Sequence, residues 1–131
     1  MTRLFAILPL IALTACVEPP AEVGRALYTD ACASCHGVDG RGVGDAPLTL
    51  GKPVPDLTTL TTRNNGVFPQ VYVMGVIDGY WRSDDPHSVM PEFGAELQAG
   101  DLVGVDTGDG RLTPTPVRLV ALAAYLEGLQ N

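Results

Sequence analysis

Basic residues are scarce in this chain. Eight lysines and arginines stand against 15 aspartates and glutamates, a net charge of −7. A surface with that balance repels phosphate backbones, which excludes nucleic acid as a partner. A partner presenting a basic face is expected instead. Long apolar runs are missing too. The longest lies inside the first fifteen residues, short of the ~20 that a membrane-spanning helix needs. Internal repeats are absent, as is any alternation of strand and helix patterns that would announce a parallel sheet. Cysteine and histidine are few, 3 and 2 in 131 residues. What is plentiful is Gly, 15, and Pro, 11, and much of the chain should therefore be loop. The length suits one domain with a real core.

The N-terminal stretch "MTRLFAILPLIALTAC" carries one charge at Arg3, then an apolar run from Leu4 to Leu13, then small residues. That is the pattern of a secretory signal peptide over residues 1–15. Its end, "LTAC", resembles the lipobox of bacterial lipoproteins. The resemblance implies cleavage before Cys16 and acylation of that cysteine, so that the protein is exported and lipid-anchored to a bacterial membrane, facing the periplasm. Without Arg3 the mature chain has 7 basic against 15 acidic residues, a net of −8. Each buried acyl methylene contributes ~0.8 kcal/mol, so several chains together hold firmly. Residues 16–21 then form a short lipidated tether. Its five residues after Cys16, "VEPPA", reach at most ~18 Å, which keeps a domain of residues 22–131 near the membrane surface.

In "EVGRALYTDACASC" the spacing of Val23, Leu27, Tyr28 and Ala31 predicts a helix, and Gly24 within it predicts the close approach of another backbone. Gly37 to Pro55 reads as irregular structure. Asp56 or Thr58 caps a short helix running to about Thr62. A second helix is expected from Phe68 to Ile77, stopped by Gly79, with Phe68, Val71, Tyr72 and Ile77 facing inward. Met90 precedes Pro91 and should be extended. Asp106 and Asp109 lie in the turn-rich "DTGDGRLTP", where the oxygen spacing is incomplete for a calcium loop; a plain surface loop is expected. In "TPVRLVALAAYLEGLQ", Thr115 is placed as N-cap and Pro116 at the first helical position. Leu119, Leu122, Leu126 and Leu129 follow at helical spacing.

The chemistry concentrates in "CASCHG", residues 32–37. A structural zinc site wants four ligands, and with Cys16 acylated only His36 and His87 remain beside Cys32 and Cys35. A redox disulfide wants a strand–helix unit that the chain lacks. The C-x-x-C-H string is the signature of covalent haem attachment. Cysteines at i and i+3 share one side of a helical turn, so both sulfurs can add to the vinyl groups of one haem c, while His36 is carried beneath the porphyrin as the proximal ligand. Met74, His87 and Met90 are candidates for the opposite position. Met74 sits in an apolar helical pattern and reads as core, and His87 as a surface or propionate-side residue. Met90, extended before Pro91 and 55 residues beyond Cys35, is the expected distal iron ligand. Leu48, Val67, Phe68, Tyr72, Trp81 and Phe93 are candidate walls of the haem pocket.

With "CASCHG" near the start, "MPEFG" later and "VALAAYLEGL" at the end, the chain resembles a class I c-type cytochrome, a bacterial monohaem type, over nearly all its mature length. The resemblance implies an all-α fold, three to five helices around one haem with long Gly/Pro-rich loops. The first and last helices would cross where Gly24 and Tyr28 meet Tyr125 or its neighbours. Carried over, Cys32 and Cys35 form the thioethers, His36 is the proximal ligand and Met90 the distal one. The family often has proline directly after its "GxG" turn, whose carbonyl orients the histidine. Here Asp45 follows Gly44 and the next proline is Pro47. The implied function is one-electron transfer between redox protein partners, with no small-molecule substrate. The alternatives are a haem subunit of a larger oxidase or dehydrogenase complex, or a ligand-binding haem enzyme or sensor.

Overall fold

The computed structural model describes residues 20–45, 51–81 and 89–131. Helix α1 spans Pro20–Ala31 and buries Gly24 and Tyr28, an i, i+4 pair on one face. The last helix, α6, spans Val117–Gly128 and buries Leu119, Ala121, Leu122, Ala123 and Leu126. The two cross at Gly24, where a Cβ would run into the backbone carbonyl of Ala121. One turn further along, the rings of Tyr28 and Tyr125 pack with centroids 5.2 Å apart at 48°. The missing side chain at Gly24 is thus what lets these backbones touch, as expected from the helix glycine. α1 starts at Pro20, two residues before the expected domain boundary.

Between these helices lie short ones: α2 (Ala33–His36), α3 (Leu60–Arg63) after a 3-10 turn at Leu57–Thr59, α4 (Gln70–Asp78) and α5 (Gly94–Leu97). Asp56, rather than Thr58, supplies the cap: its Oδ1 accepts from the Thr58 amide at 2.8 Å and from the Thr58 hydroxyl at 2.7 Å. α4 ends at Gly79, in the left-handed region at φ 98°, with its amide bonded to the Gly75 carbonyl at 3.1 Å. Its inward face differs from expectation. Val73, Met74 and Ile77 are buried with the α6 leucines and Leu97, while Tyr72 is 57% exposed.

The fold is helical, with six helices among the described residues and one addition the sequence did not announce. Leu102–Asp106 (β1) and Leu112–Pro116 (β2) form an antiparallel hairpin, Leu102 opposite Pro116 and Asp106 opposite Leu112. Its turn is held by Asp106 Oδ1, which accepts from the amides of Gly108 and Gly110 at 2.8 and 3.1 Å. Asp109 Oδ1 accepts from the Arg111 amide at 3.0 Å. Both carboxylates therefore close the turn. The expected cap at Thr115 is not formed. Thr115 belongs to β2, its hydroxyl donates to the Thr113 carbonyl at 3.0 Å, and Pro116 takes the cap position with no side-chain bond. The first helical amide, Val117, is satisfied by the Asp101 carbonyl at 3.0 Å.

The chain end ties α6 to the 57–61 turn. Gln130 accepts from the Thr61 amide at 2.9 Å and donates to the Leu57 carbonyl at 2.8 Å. Asn131 donates from its side chain to the Thr58 hydroxyl at 2.9 Å. Two walls of the central cavity are fixed to each other in this way.

Candidate functional site

The site begins where α1 runs out. The Cys32 amide still bonds to the Tyr28 carbonyl at 2.9 Å, and the amides of Cys35 and His36 both bond to the Cys32 carbonyl, at 3.1 and 2.9 Å. This single turn puts Cys32 and Cys35 on one side and carries His36 inward, where it is 7% exposed. Gly37 ends the turn at φ 79°, a conformation that penalises any residue with a Cβ. Both cysteines are half-buried and not bonded to each other. Burial pushes the Cys32 thiol up to about 11, with a further contribution from Cys35. The Cys35 sulfur lies 3.9 Å from the Ser34 hydroxyl.

Burial lowers the pKa of His36, and a bond to the Pro55 carbonyl works against that shift. The ring is therefore neutral near pH 7. Its Nδ1 lies 3.4 Å from the Pro55 oxygen, a long bond that assigns the proton to Nδ1 and leaves the lone pair on Nε2. The orienting carbonyl thus comes from Pro55. Pro47, the first proline after the glycine turn, lies outside the described residues. Pro55 can reach His36 because Gly42, at φ 79°, has no side chain: a Cβ there would run into the Val54 carbonyl.

His36 opens on a cavity of about 250 Å³. Leu57 and Leu60 form one wall, Tyr72, Val73, Val76 and Ile77 of α4 another, and Leu122 and Leu126 of α6 the back. Cys32 and Met90 line the same space. Three of the expected site residues, Cys32, His36 and Met90, thus meet at one cavity, with Cys35 one turn from Cys32. Among the described residues, Arg63 is the only charged side chain on its lining. The guanidinium is braced by its own turn, donating from Nη2 to the Asp56 carbonyl at 2.7 Å.

Of the expected pocket walls among the described residues, only Tyr72 lines this cavity. Phe68 packs half-buried against the core, and Phe93 faces a second cavity of about 320 Å³ beside Cys32, Leu97 and Leu122. Val67 and Trp81 are 66% and 53% exposed. Met74, read as core, is 5% exposed in the core cluster. Leu48, Pro47, His87 and Cys16 lie outside the described residues. Sequence reasoning missed Leu57, Leu60, Arg63 and the α6 leucines as walls. The i, i+4 pair Leu122 and Leu126 carried a usable signal: it lies on the helix expected to cross α1 beside the haem.

These residues fit a haem c. Two thiols at i and i+3 sit beside an apolar slot, a neutral imidazole and a thioether line it, and one cation meets it at the edge. Against known proteins, the family model "Cytochrome c" matches residues 21–130. No curated protein matches the chain.

Proposed function

We propose, on the premise that the chain belongs to the cytochrome c family and so carries covalently attached haem c for electron transfer, that it is a membrane-anchored monohaem carrier. In this reading His36 and Met90 ligate the iron. The observation that carries it is the convergence of Cys32, His36 and Met90 on one apolar cavity. When bound, the haem iron supplies one-electron exchange between ferric and ferrous states.

The residues divide the remaining work. The thiols of Cys32 and Cys35 would hold the haem through its two vinyl groups, S–H adding over C=C with nothing released. His36 offers Nε2, its ring held by Pro55. Met90 offers a thioether, a weak donor that favours ferrous iron and raises the potential. Leu57, Leu60, Val73, Val76, Ile77, Leu122 and Leu126 exclude water. The low-dielectric surroundings penalise the net charge of the ferric centre and act in the same direction. Arg63 is placed to meet the anionic propionates. With His36 and Met90 both holding the iron, electron exchange would be favoured over substrate chemistry.

The acyl anchor at Cys16 would confine the search for partners to the membrane surface. The mature net charge of −8, from 7 basic and 15 acidic residues, would steer docking toward a redox protein with a basic face. Potentiometric titration of the holoprotein tests the carrier reading. A low-spin spectrum that changes in a single one-electron step, about 59 mV per decade, is expected. A high-spin ferrous form that binds carbon monoxide at once would overturn it in favour of a ligand-binding protein.

A further inference from the structure

Tyr28 is the largest fully buried side chain among the described residues, 1% exposed. Its ring packs on Tyr125 in the helix crossing, work that a phenylalanine would do as well. The hydroxyl is the part that needs explaining, because burying one is costly unless it is bonded. It donates to the Gly37 carbonyl at 2.6 Å. Gly37 is the residue directly after His36, and its carbonyl also accepts from the Gly40 amide at 3.2 Å. The hydroxyl therefore clamps the turn that leaves the histidine.

That turn leads back to the imidazole by a second route. The Gly40 carbonyl accepts from the Leu57 amide at 2.7 Å, two residues past Pro55. The Pro55 carbonyl is the one facing His36 Nδ1. The Gly42 amide, bonded to the His36 carbonyl at 2.8 Å, closes the turn. The connections run from the Tyr28 hydroxyl through the Gly37–Gly40 turn to the 55–57 segment, and from there to the ring of His36.

We propose that Tyr28 is a positioning residue for His36: its hydroxyl, held on the Gly37 carbonyl, fixes the turn that sets the His36–Pro55 hydrogen bond and thereby the electron donation of the imidazole to iron. This rests on His36 being an iron ligand. A hydrogen bond to the second ring nitrogen raises the basicity of the ligating one. A more basic imidazole stabilises ferric iron. Removing the hydroxyl loosens the bond and shifts the balance toward ferrous.

The test compares holoprotein variants Tyr28→Phe and Tyr125→Leu with wild type, by potentiometric titration and by paramagnetic NMR of the ferric state. Tyr28→Phe keeps the ring and is expected to raise the ferrous-to-ferric ratio at fixed potential about two- to tenfold, roughly 18–59 mV upward, with displaced His36 ring signals. Tyr125→Leu removes packing from the same contact but touches no bond in the turn. It is expected to lower stability while leaving the ferrous-to-ferric ratio at fixed potential within twofold of wild type. A Tyr28→Phe protein with unchanged potential and unchanged His36 signals overturns the proposal, as does a Tyr125→Leu shift equal to that of Tyr28→Phe. Wild-type protein without low-spin, histidine-ligated signals instead refutes the ligation reading on which the proposal depends.

Discussion

Replacing Gly24 by alanine puts the helix crossing to a direct test, because two effects of opposite sign compete there. Alanine is the better helix former by ~1 kcal/mol, so in an isolated helix the change would stabilise. In the folded protein the new Cβ would run into the Ala121 carbonyl oxygen, lie 2.6 Å from the Ala121 carbonyl carbon and 2.8 Å from Tyr125 Cβ. The first two are backbone atoms of a packed helix and cannot swing aside. Overpacking of this kind costs ~1–3 kcal/mol, and a backbone collision belongs at the upper end. The net expectation is a loss of ~2 kcal/mol. With a urea slope of ~2 kcal/mol/M for a chain of this size, the unfolding midpoint of the holoprotein should fall by ~1 M. Gly128→Ala serves as the control, since no described residue lies within 4 Å of a Cβ at that last position of α6; it should be neutral or stabilise by up to ~1 kcal/mol. A Gly24→Ala protein as stable as wild type would refute the close approach and the account of why α1 and α6 cross where they do.

Three further outcomes follow from other parts of the molecule. Hydrogen bonds from the Thr58 hydroxyl and amide hold the Asp56 carboxyl below its ordinary range, so its contribution is complete above the unfolded value of about 3.9 and vanishes as pH falls through the lower folded value. Asp56→Ala should therefore lower the urea midpoint at pH 6 by an amount that shrinks below about pH 4, and a gap that widens in acid would contradict this. Gly42→Ala costs ~1–2 kcal/mol for its positive φ and also collides with Val54, whereas Gly51→Ala, at φ 66° with no described residue within 4 Å, carries the conformational cost alone; thermal melts of equal depression would show that Val54 does not press on Gly42. Mass spectrometry of protein from native membranes should find an acylated N-terminus at Cys16, and an unmodified start at Met1 would remove the anchor.

What the sequence revealed and what it hid divide along physical lines. The α6 leucines and the Gly79 stop were legible because they are local: a 3.6-residue period and a residue that tolerates left-handed backbone. The CxxCH turn is local as well. The meeting of Gly24 and Tyr28 with Tyr125 became legible through the family resemblance, since nothing in either helix alone names its partner. The hairpin stayed hidden because β2, "LTPTP", carries two prolines, which argue against a strand, and only pairing with β1 makes it one. Thr115 was misplaced for a related reason: the helix amide it was expected to cap is satisfied by the distant Asp101 carbonyl. The choice of Pro55 as the carbonyl facing His36 depends on Gly42 admitting Val54, a long-range approach with no periodic trace. Val73 was left out of the expected inward set because α4 is apolar nearly all round, so its period barely separates Val73 from Tyr72.

In the proposed carrier Met90 joins His36 in holding the iron, and the sulfur-to-iron charge-transfer band of the ferric holoprotein reports on that pairing. Wild-type protein should show that band with a low-spin spectrum, and Met90→Ala should lose both and bind exogenous imidazole readily. Survival of the band in Met90→Ala, or its absence from wild type, would contradict the assignment.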